Sequence, residues 1–503
     1  MRYRYDNHRT LVTLSGPVRL HLKICRCETA ACPRHHRPHR PEAEGAIALP
    51  QHEFGLDVVV LVGVLRHRDH RSVPEIHTAL RQRGVAIAER SVTNLLDRYD
   101  ELLATSVTST RRLRRALKGQ GGVILALDGL QPDVGHEVLW VVRDCLSGEV
   151  LLARSLLSAR AVDLAPLLRE VAEAVGVPVL GVVSDGQTSV RRAVAAALPG
   201  VPHQLCQFHF LREAAHPVFE ADRHAKVALK AEVRGVRRIE RALEGRDGPA
   251  ADVTRGYCAA VRSAITDDGR PPLAASGLKL KARLEAVADS LDRVRGKGGG
   301  APPLARLRQL IGRGLARTAG LWPDIARVYG WVHRAAHILG NAAGEAAIVV
   351  QRRFNGLAAA MARHGRRAGR LAEAVDHFCK VARSYRPGLF HCYAVPDLPC
   401  TNNGLEQLFG SQRYHERRAT GRKMASPAAV LRGEVRLIAA TATRLHPPTP
   451  RELGHVSQER WRELRCRLDQ RRHARTLRTR FRRNPAAYLA TLEHQACQPT
   501  LPA

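Results

Sequence analysis

Residues 123–129 read VILALDG, and residues 177–186 read VPVLGVVSDG. Each is an apolar run that closes on an aspartate followed by glycine, the pattern of a buried strand with an acid at its C-terminal end. Between them, HEVLWVVRDCLSGEVLLARSL (136–156) predicts two strands joined as a hairpin at Ser147–Gly148. Leu164, Leu167, Leu168, Val171 and Val175 then recur at helical spacing over about 163–175. SVRRAVAAAL (189–198) predicts a short helix and HQLCQFHFL (203–211) a last strand. The order strand, hairpin, helix, strand, helix, strand predicts a mixed five-stranded sheet with helices.

If the strands ending in Asp128 and Asp185 are neighbours, their carboxylates converge. Two converging acids in a basic protein either shift each other's protonation or hold a divalent cation. Asp133, Glu137 and Asp144 are rivals of Asp128 in the same stretch, but Asp133 follows Gln131-Pro132 outside the strand and Asp144 opens the hairpin turn. Asp185 also suits a turn or N-cap before the helix at 188–198.

The basic character is pronounced. The chain has 503 residues and a formal charge of +33, with 45% hydrophobic, 25% charged and only 4% aromatic residues. That length calls for two or more domains with cores built from Leu, Val, Ile and Ala. An excess of this size exceeds what solubility needs and predicts a polyanionic partner, nucleic acid above all. No 18-residue apolar run predicts a membrane span, and MRYRYDNHRTLVTLSG lacks the apolar core of a signal peptide. Eleven irregularly spaced cysteines do not read as a disulfide framework, so a reducing cytoplasm is expected.

Residues 70–104 predict a helix-turn-helix. Ser72 and Pro74 start a helix burying Ile76, Ala79 and Leu80; Gly84 ends it, and a second helix carries Val92, Leu95, Leu96 and Tyr99. Glu89, Arg90, Thr93 and Asn94 then fall at the start of the second helix, where a recognition helix meets base edges. A plain helical hairpin gives the same pattern. Ahead of it, HLKICRCETAACPRHHRPHRP (21–41) crowds Cys25, Cys27, Cys32, His35, His36 and His39 into a basic loop, read either as a Zn²⁺ site or as an unmetallated nucleic-acid-binding arm.

Residues 111–118 (RRLRRALK) read as a basic linker, 212–395 as overwhelmingly helical, and RGKGGGAPP (295–303) as a linker lacking the spacing of a phosphate-binding loop. TNNGLEQLFG (401–410) opens one more helix. Leu405, Leu408 and Phe409 form its buried face, and Asn403 with Glu406 fits a capping box. RCRLDQRRHARTLRTRFRRN (465–484) is a basic helix or arm, suited to solvent or to phosphate.

Taken in order, ALDG with Asp128, VVSDGQTSVRRAV with Asp185, CQFHFLR, and TNNGLEQLFGSQRYHERRATGR with Glu406 resemble the DDE transposases of bacterial insertion sequences, closest to the Mutator-like group. The resemblance spans about residues 70–440. It implies an RNase H-like catalytic core interrupted by a large all-α insertion, in keeping with 57 residues between Asp128 and Asp185 but 221 between Asp185 and Glu406. The domains expected are a Cys/His-rich arm at 1–45, helix-turn-helix at 46–115, first part of the core at 116–211, insertion at 212–395, closing helix at 396–440 and a basic tail at 441–503.

The resemblance further implies that Asp128, Asp185 and Glu406 hold Mg²⁺ or Mn²⁺, while Cys206 and His209 match a Cys-x-x-His element with a structural or DNA-positioning role. Arg413, Arg417, Arg418, Arg422 and Lys423 would bind phosphate. The implied activity is cleavage and strand transfer of double-stranded DNA at terminal inverted repeats and target, by a homodimer or higher assembly on the bacterial nucleoid. The alternatives are a catalytically inactive transposase-derived DNA-binding protein or regulator, and an RNase H-like nuclease without strand transfer.

Overall fold

The computed structural model describes residues 1–49, 52–131, 137–422 and 427–497. It divides into two units: Met1–Val182 with Thr188–Val201 and Asn403–Ala503, and Val183–Gln187 with Pro202–Asn402.

The first unit begins with a long antiparallel ribbon where a basic arm is expected from the sequence. Strands β1 (Arg2–Thr13) and β2 (Gly16–Arg26) pair from Arg2 opposite Arg26 to Thr13 opposite Gly16, and β3 (Pro38–His39) adds a short edge. Gly16, at φ +104°, makes the turn. A one-turn helix α1 (Glu42–Gly45) leads to α2 (Leu56–His67), which the sequence reading did not separate from its surroundings. Helix α3 (Val73–Gln82) starts after Ser72, as expected, with a capping box between Ser72 and Glu75 that the sequence reading did not name, and it buries Ile76 and Leu80 while Ala79 is half-buried. Gly84 turns the chain at φ +79°, and α4 (Glu89–Val107) buries Val92, Leu95, Leu96 and Tyr99. Helices α2, α3 and α4 pack on one another, closely enough that a Cβ on Gly63 would lie 2.3 Å from the Tyr99 ring.

The segment read as a linker is helix α5 (Thr110–Leu117), because Leu113 and Leu117 are buried in the core beside the sheet. Strands β4 (Val123–Leu130), β5 (Val138–Asp144) and β6 (Val150–Leu156) are consecutive antiparallel neighbours; then come α6 (Ala161–Val175), β7 (Val179–Ser184) and α7 (Thr188–Ala197). With β8 (His203–Leu205) these form a mixed five-stranded sheet in the order β6-β5-β4-β7-β8. Strand β7 passes from the first unit into the second.

The expected strand at 203–211 stops after three residues. Cys206 starts helix α8 (Gln207–Ala214), because two buried glutamines fasten the chain there: Gln204 Nε2 donates to Leu205 O and Leu389 O, and Gln207 Nε2 to Leu389 O and Tyr393 Oη. The second unit continues as α9 (His216–Glu232), α10 (Val236–Arg241), α11 (Pro249–Thr266), α12 (Ser276–Gly296), α13 (Pro302–Thr318), α14 (Trp322–Gly340), α15 (Ala347–His364) and α16 (Ala372–Tyr385). The RGKGGGAPP stretch joins α12 to α13, as its composition predicts.

The chain then re-enters the first unit as α17 (Asn403–Thr420), α18 (Pro427–Leu445), α19 (Pro450–Gly454), α20 (Gln458–Arg483) and α21 (Pro485–Ala496). The stretch beyond 440 is therefore helical. Helices α18 and α20 pack on α4, and α18 also packs on β6. Charges, not only hydrocarbon, fill these interfaces. Asp100, fully buried, meets His67 Nε2 at 2.7 Å and Arg436 at 3.5 Å; buried Glu101 meets Arg432 at 3.0 Å and accepts from Trp461 Nε1 at 2.8 Å.

Candidate active site

Strand β4 is buried from Val123 to Leu127 and opens to half-burial at Asp128, so the acid stands where the strand leaves the core. Asp128 lies opposite Val141, and the Gly129 N–H donates to its Oδ1 at 2.8 Å. A Cβ on Gly129 would come within 2.9 Å of Val138 and 3.3 Å of Trp140, so glycine lets β5 close over this end of the strand. Its rival Asp144 is committed to the fold. Fully buried, it accepts from Ile124 N at 3.1 Å, Gln120 Nε2 at 2.9 Å, and the N–H and Oγ of Ser147 at 2.8 and 2.7 Å. Those bonds tie off the β5–β6 hairpin and engage both oxygens, three of the four at Oδ2. Glu137 is half-buried just ahead of β5, and Asp133 lies outside the described residues.

Glu406 sits half-buried in the first turn of α17, the positive end of the helix dipole. Helix α17 packs on β4 within the same unit, with Leu405 and Phe409 inward, and Arg143 Nη1 of β5 donates to Gly404 O at 3.1 Å. The structure thus brings the elements carrying Asp128 and Glu406 together. Asn403 is itself the first helical residue, one position earlier than a capping box with Glu406 requires. Arg413 and Arg417 follow Glu406 at seven and eleven residues, on the same helix face, and both are exposed. Arg418 points elsewhere, 4.0 Å from Glu75 of α3. Arg422 is exposed after the helix, and Lys423 lies outside the described residues.

Asp185 belongs to the second unit, directly after β7. Its Oδ1 accepts from the Gln187 N–H at 2.9 Å, a turn that keeps the carboxylate at the strand end. Tyr385 Oη donates to Asp185 O at 3.1 Å and lies 3.0 Å from Glu213 Oε2. Gly186 has φ +89°, and a Cβ there would lie 2.7 Å from the Tyr385 ring, so this turn requires glycine.

Cys206 is fully buried as the N-cap of α8. It donates its N–H to Ser184 O at 2.8 Å and accepts at Sγ from the Asn402 N–H at 3.3 Å. His209, three residues on, is helical rather than on a strand, so the two side chains share a helix side. Cys206 thus holds Asn402, the residue before α17, to the end of β7, while Ser184 Oγ meets His203 Nε2 at 2.9 Å. Gln204, Gln207 and Tyr385 do this positioning without any sequence motif. Buried glutamine among apolar residues is the one local signal that marks the first two.

Arg90, Thr93 and Asn94 are exposed at the start of α4, as expected of a recognition helix, beside exposed Glu89. In the N-terminal segment Cys25 pairs with His39 across the ribbon and Cys27 bridges to His35. Hydrogen bonds from Thr29, then Cys32, hold the Cys27 thiol below its ordinary range. Among the described residues, no three His, Cys, Asp or Glu side chains are gathered as a metal-holding group. Likewise, no described helix is long and apolar enough to cross a membrane. Compared with known protein families and with curated protein sequences, the chain matches none.

Proposed function

We propose that this chain is a DDE transposase, with an RNase H-like core and residues 212–395 as its helical insertion, cleaving and joining DNA at the ends of its own insertion sequence. The observation that carries the reading is the packing of α17 on β4, each with a half-buried carboxylate at its end, Glu406 and Asp128. The sheet order adds support, since β7, which leads into Asp185, is the neighbour of β4. An all-oxygen set of three carboxylates suits Mg²⁺ or Mn²⁺.

Asp128, Asp185 and Glu406 are the residues that would hold the metal, which when bound supplies charge neutralisation at the scissile phosphate. Water attacks phosphorus and the bond to the 3′-oxygen breaks, leaving a 3′-hydroxyl. That hydroxyl attacks a target phosphodiester in turn, forming one P–O bond for each one broken. The Gly129 and Gln187 amides fix the orientation of the two aspartates, and Arg413 and Arg417 continue the Glu406 face as phosphate contacts. Arg90, Thr93 and Asn94 read the terminal repeats, and joining two ends in one event calls for a dimer or higher assembly. Cys25, Cys27, Cys32 and His35 are the residues that would hold Zn²⁺ if this segment is metallated, with the thiolates as soft ligands.

The test is strand transfer with labelled end DNA and Mg²⁺ or Mn²⁺, comparing wild type with Asp128→Ala, Asp185→Ala and Glu406→Ala. Loss of joined product in all three is expected. Activity surviving Glu406→Ala would overturn the assignment, and DNA binding by the wild type without cleavage would favour the inactive DNA-binding alternative.

A further inference from the structure

Helix α20 changes character along its length. Its first half is anchored in the first unit: Trp461, Leu464 and Leu468 are buried, and Trp461 Nε1 donates to buried Glu101. Arg467 and Arg471 both pair with buried Glu434 at 3.3 Å. Beyond that point the chain carries no acid from Gln470 to Asn484. Among the described residues, Arg472, Arg475, Arg478, Arg480, Arg482 and Arg483 form no ion pair, and all but Arg475 are exposed. Arg475, Arg478 and Arg482 recur at the spacing of one helix face, continuing the line of Arg471.

Like charges three and four apart disfavour an isolated helix by a few tenths of a kcal/mol per pair. A polyanion along the stripe reverses that sign. The partner's chemistry follows from what the stripe lacks. A membrane-surface helix needs a broad apolar face, but here only Ala474, Leu477 and Phe481 interrupt the polar residues, and the Phe481 ring packs on Tyr488 with centroids 5.7 Å apart. Single-stranded nucleic acid is held by aromatic stacking platforms, and the arginine stripe has none. A helix about 10–12 Å across fits the major groove, about 12 Å wide, with phosphates on either side.

We propose that the distal half of α20 is a sequence-independent clamp on the backbone of double-stranded DNA. The inference rests on the reading of this chain as a protein that acts on DNA, and its test separates the two. Full-length protein is titrated with duplex of arbitrary sequence across a salt series. The triple variant Arg475→Gln, Arg478→Gln, Arg482→Gln is expected to lower the slope of log affinity against log salt by about 2–3, with binding at 0.1 M salt weakened on the order of 10²- to 10³-fold. Replacing the same three with lysine should keep most of the slope, and both variants should unfold close to the wild-type temperature because Arg478 and Arg482 are exposed and Arg475 is only half-buried.

An unchanged slope and affinity in the glutamine variant would overturn the clamp. So would oligo-dT, or vesicles of phosphatidylcholine and phosphatidylserine, competing better than duplex. If the glutamine variant shows the slope change but wild type joins no DNA ends, the catalytic reading fails and the clamp stands. If the glutamine variant joins ends with an unchanged slope, the clamp fails and the catalytic reading stands.

Discussion

In the second unit, helices meet through hydrocarbon: Phe210 lies among Phe354, Phe378 and Tyr385 with ring centroids 5.6, 5.8 and 5.7 Å away. Around α4 in the first unit, helices meet through ions as well, with Asp97, Asp100 and Glu101 facing Arg432 and Arg436 of α18. Hydrocarbon contacts are non-directional, so their worth follows area. Buried ion pairs add little net stability against an apolar replacement, but each charge accepts only a partner at one place. The second interface therefore fixes which helix face meets which, and the recognition-helix candidate α4 is held in register by it. Glu416 extends the network into α17, 3.0 Å from Arg436. The helix carrying Glu406 is thus tied to α4 through charge.

The sharpest way to break this comparison is to remove one member from each interface. Glu101→Ala leaves Arg432 with Asp97 as its one remaining acid and strands the Trp461 N–H, and should cost about 3–5 kcal/mol in urea unfolding. Phe354→Ala should cost a similar ~3–5 kcal/mol through lost contact and a cavity. The rescue distinguishes them. Glu101→Met with Arg432→Met should recover part of the loss, because it removes the pair and keeps the volume while Asp97 loses Arg432. A double variant no more stable than Glu101→Ala would show that this interface does not depend on charge balance.

Next in size is Gly186→Ala. The left-handed backbone costs an L-residue roughly 1–2 kcal/mol, and the added methyl must also displace the Tyr385 ring. Strand transfer should fall further than stability does, since Asp185 precedes the strained turn. Transfer reduced only in proportion to the folded fraction would remove Gly186 from the positioning of Asp185.

What could be read in advance was local. Strands β4 and β7, the Ser147–Gly148 hairpin, the start of α3 at Ser72 and the apolar faces of α3 and α4 each rest on residues within a few positions of one another. The exposure of Arg90, Thr93 and Asn94 followed from the same periodicity. Long-range partners hid the rest. Asp100, Glu101, Arg432 and Arg436 look like surface charges until α4 and α18, more than 300 residues apart in sequence, are packed together. Cys206 reads as strand because Leu205 and Phe208 flank it, while the glutamines that end the strand find their acceptors near residue 389. Helix α2 is an apolar run without the periodicity that separates helix from strand. The N-terminal ribbon carries a local signal, RYRYDNHRTLVT before a Ser-Gly turn, but the Cys/His crowding that follows it points to chemistry rather than to a strand.

The smallest expected effect concerns pH, and it separates the two units by sign. In the first unit His415 of α17 stacks on His70, ring centroids 3.6 Å apart and 11° from parallel. Burial, then His70 and Arg444, push His415 down to about 4. The unfolded chain, with histidine near its ordinary ~6.5, therefore takes up the proton first. This contribution to stability is complete above about pH 6.5 and is lost as pH falls toward 4. Asp100 adds a later loss on the same side: burial opposes its charge, but His67, then Arg436 and Arg432, outweigh that and hold the carboxyl below its usual range. In the second unit Asp222 behaves oppositely. Burial raises its carboxyl above the usual range despite the Gly277 and Leu278 amides and Lys226, so its contribution is greatest in acid and is lost as pH rises through the raised value. Urea midpoints measured from pH 7.5 to 4.5 should decline for wild type and flatten for His415→Gln, whereas Asp222→Asn should leave the decline between 6.5 and 4.5 in place. A wild-type midpoint that stays level across that window would detach the histidine stack from the stability of α17.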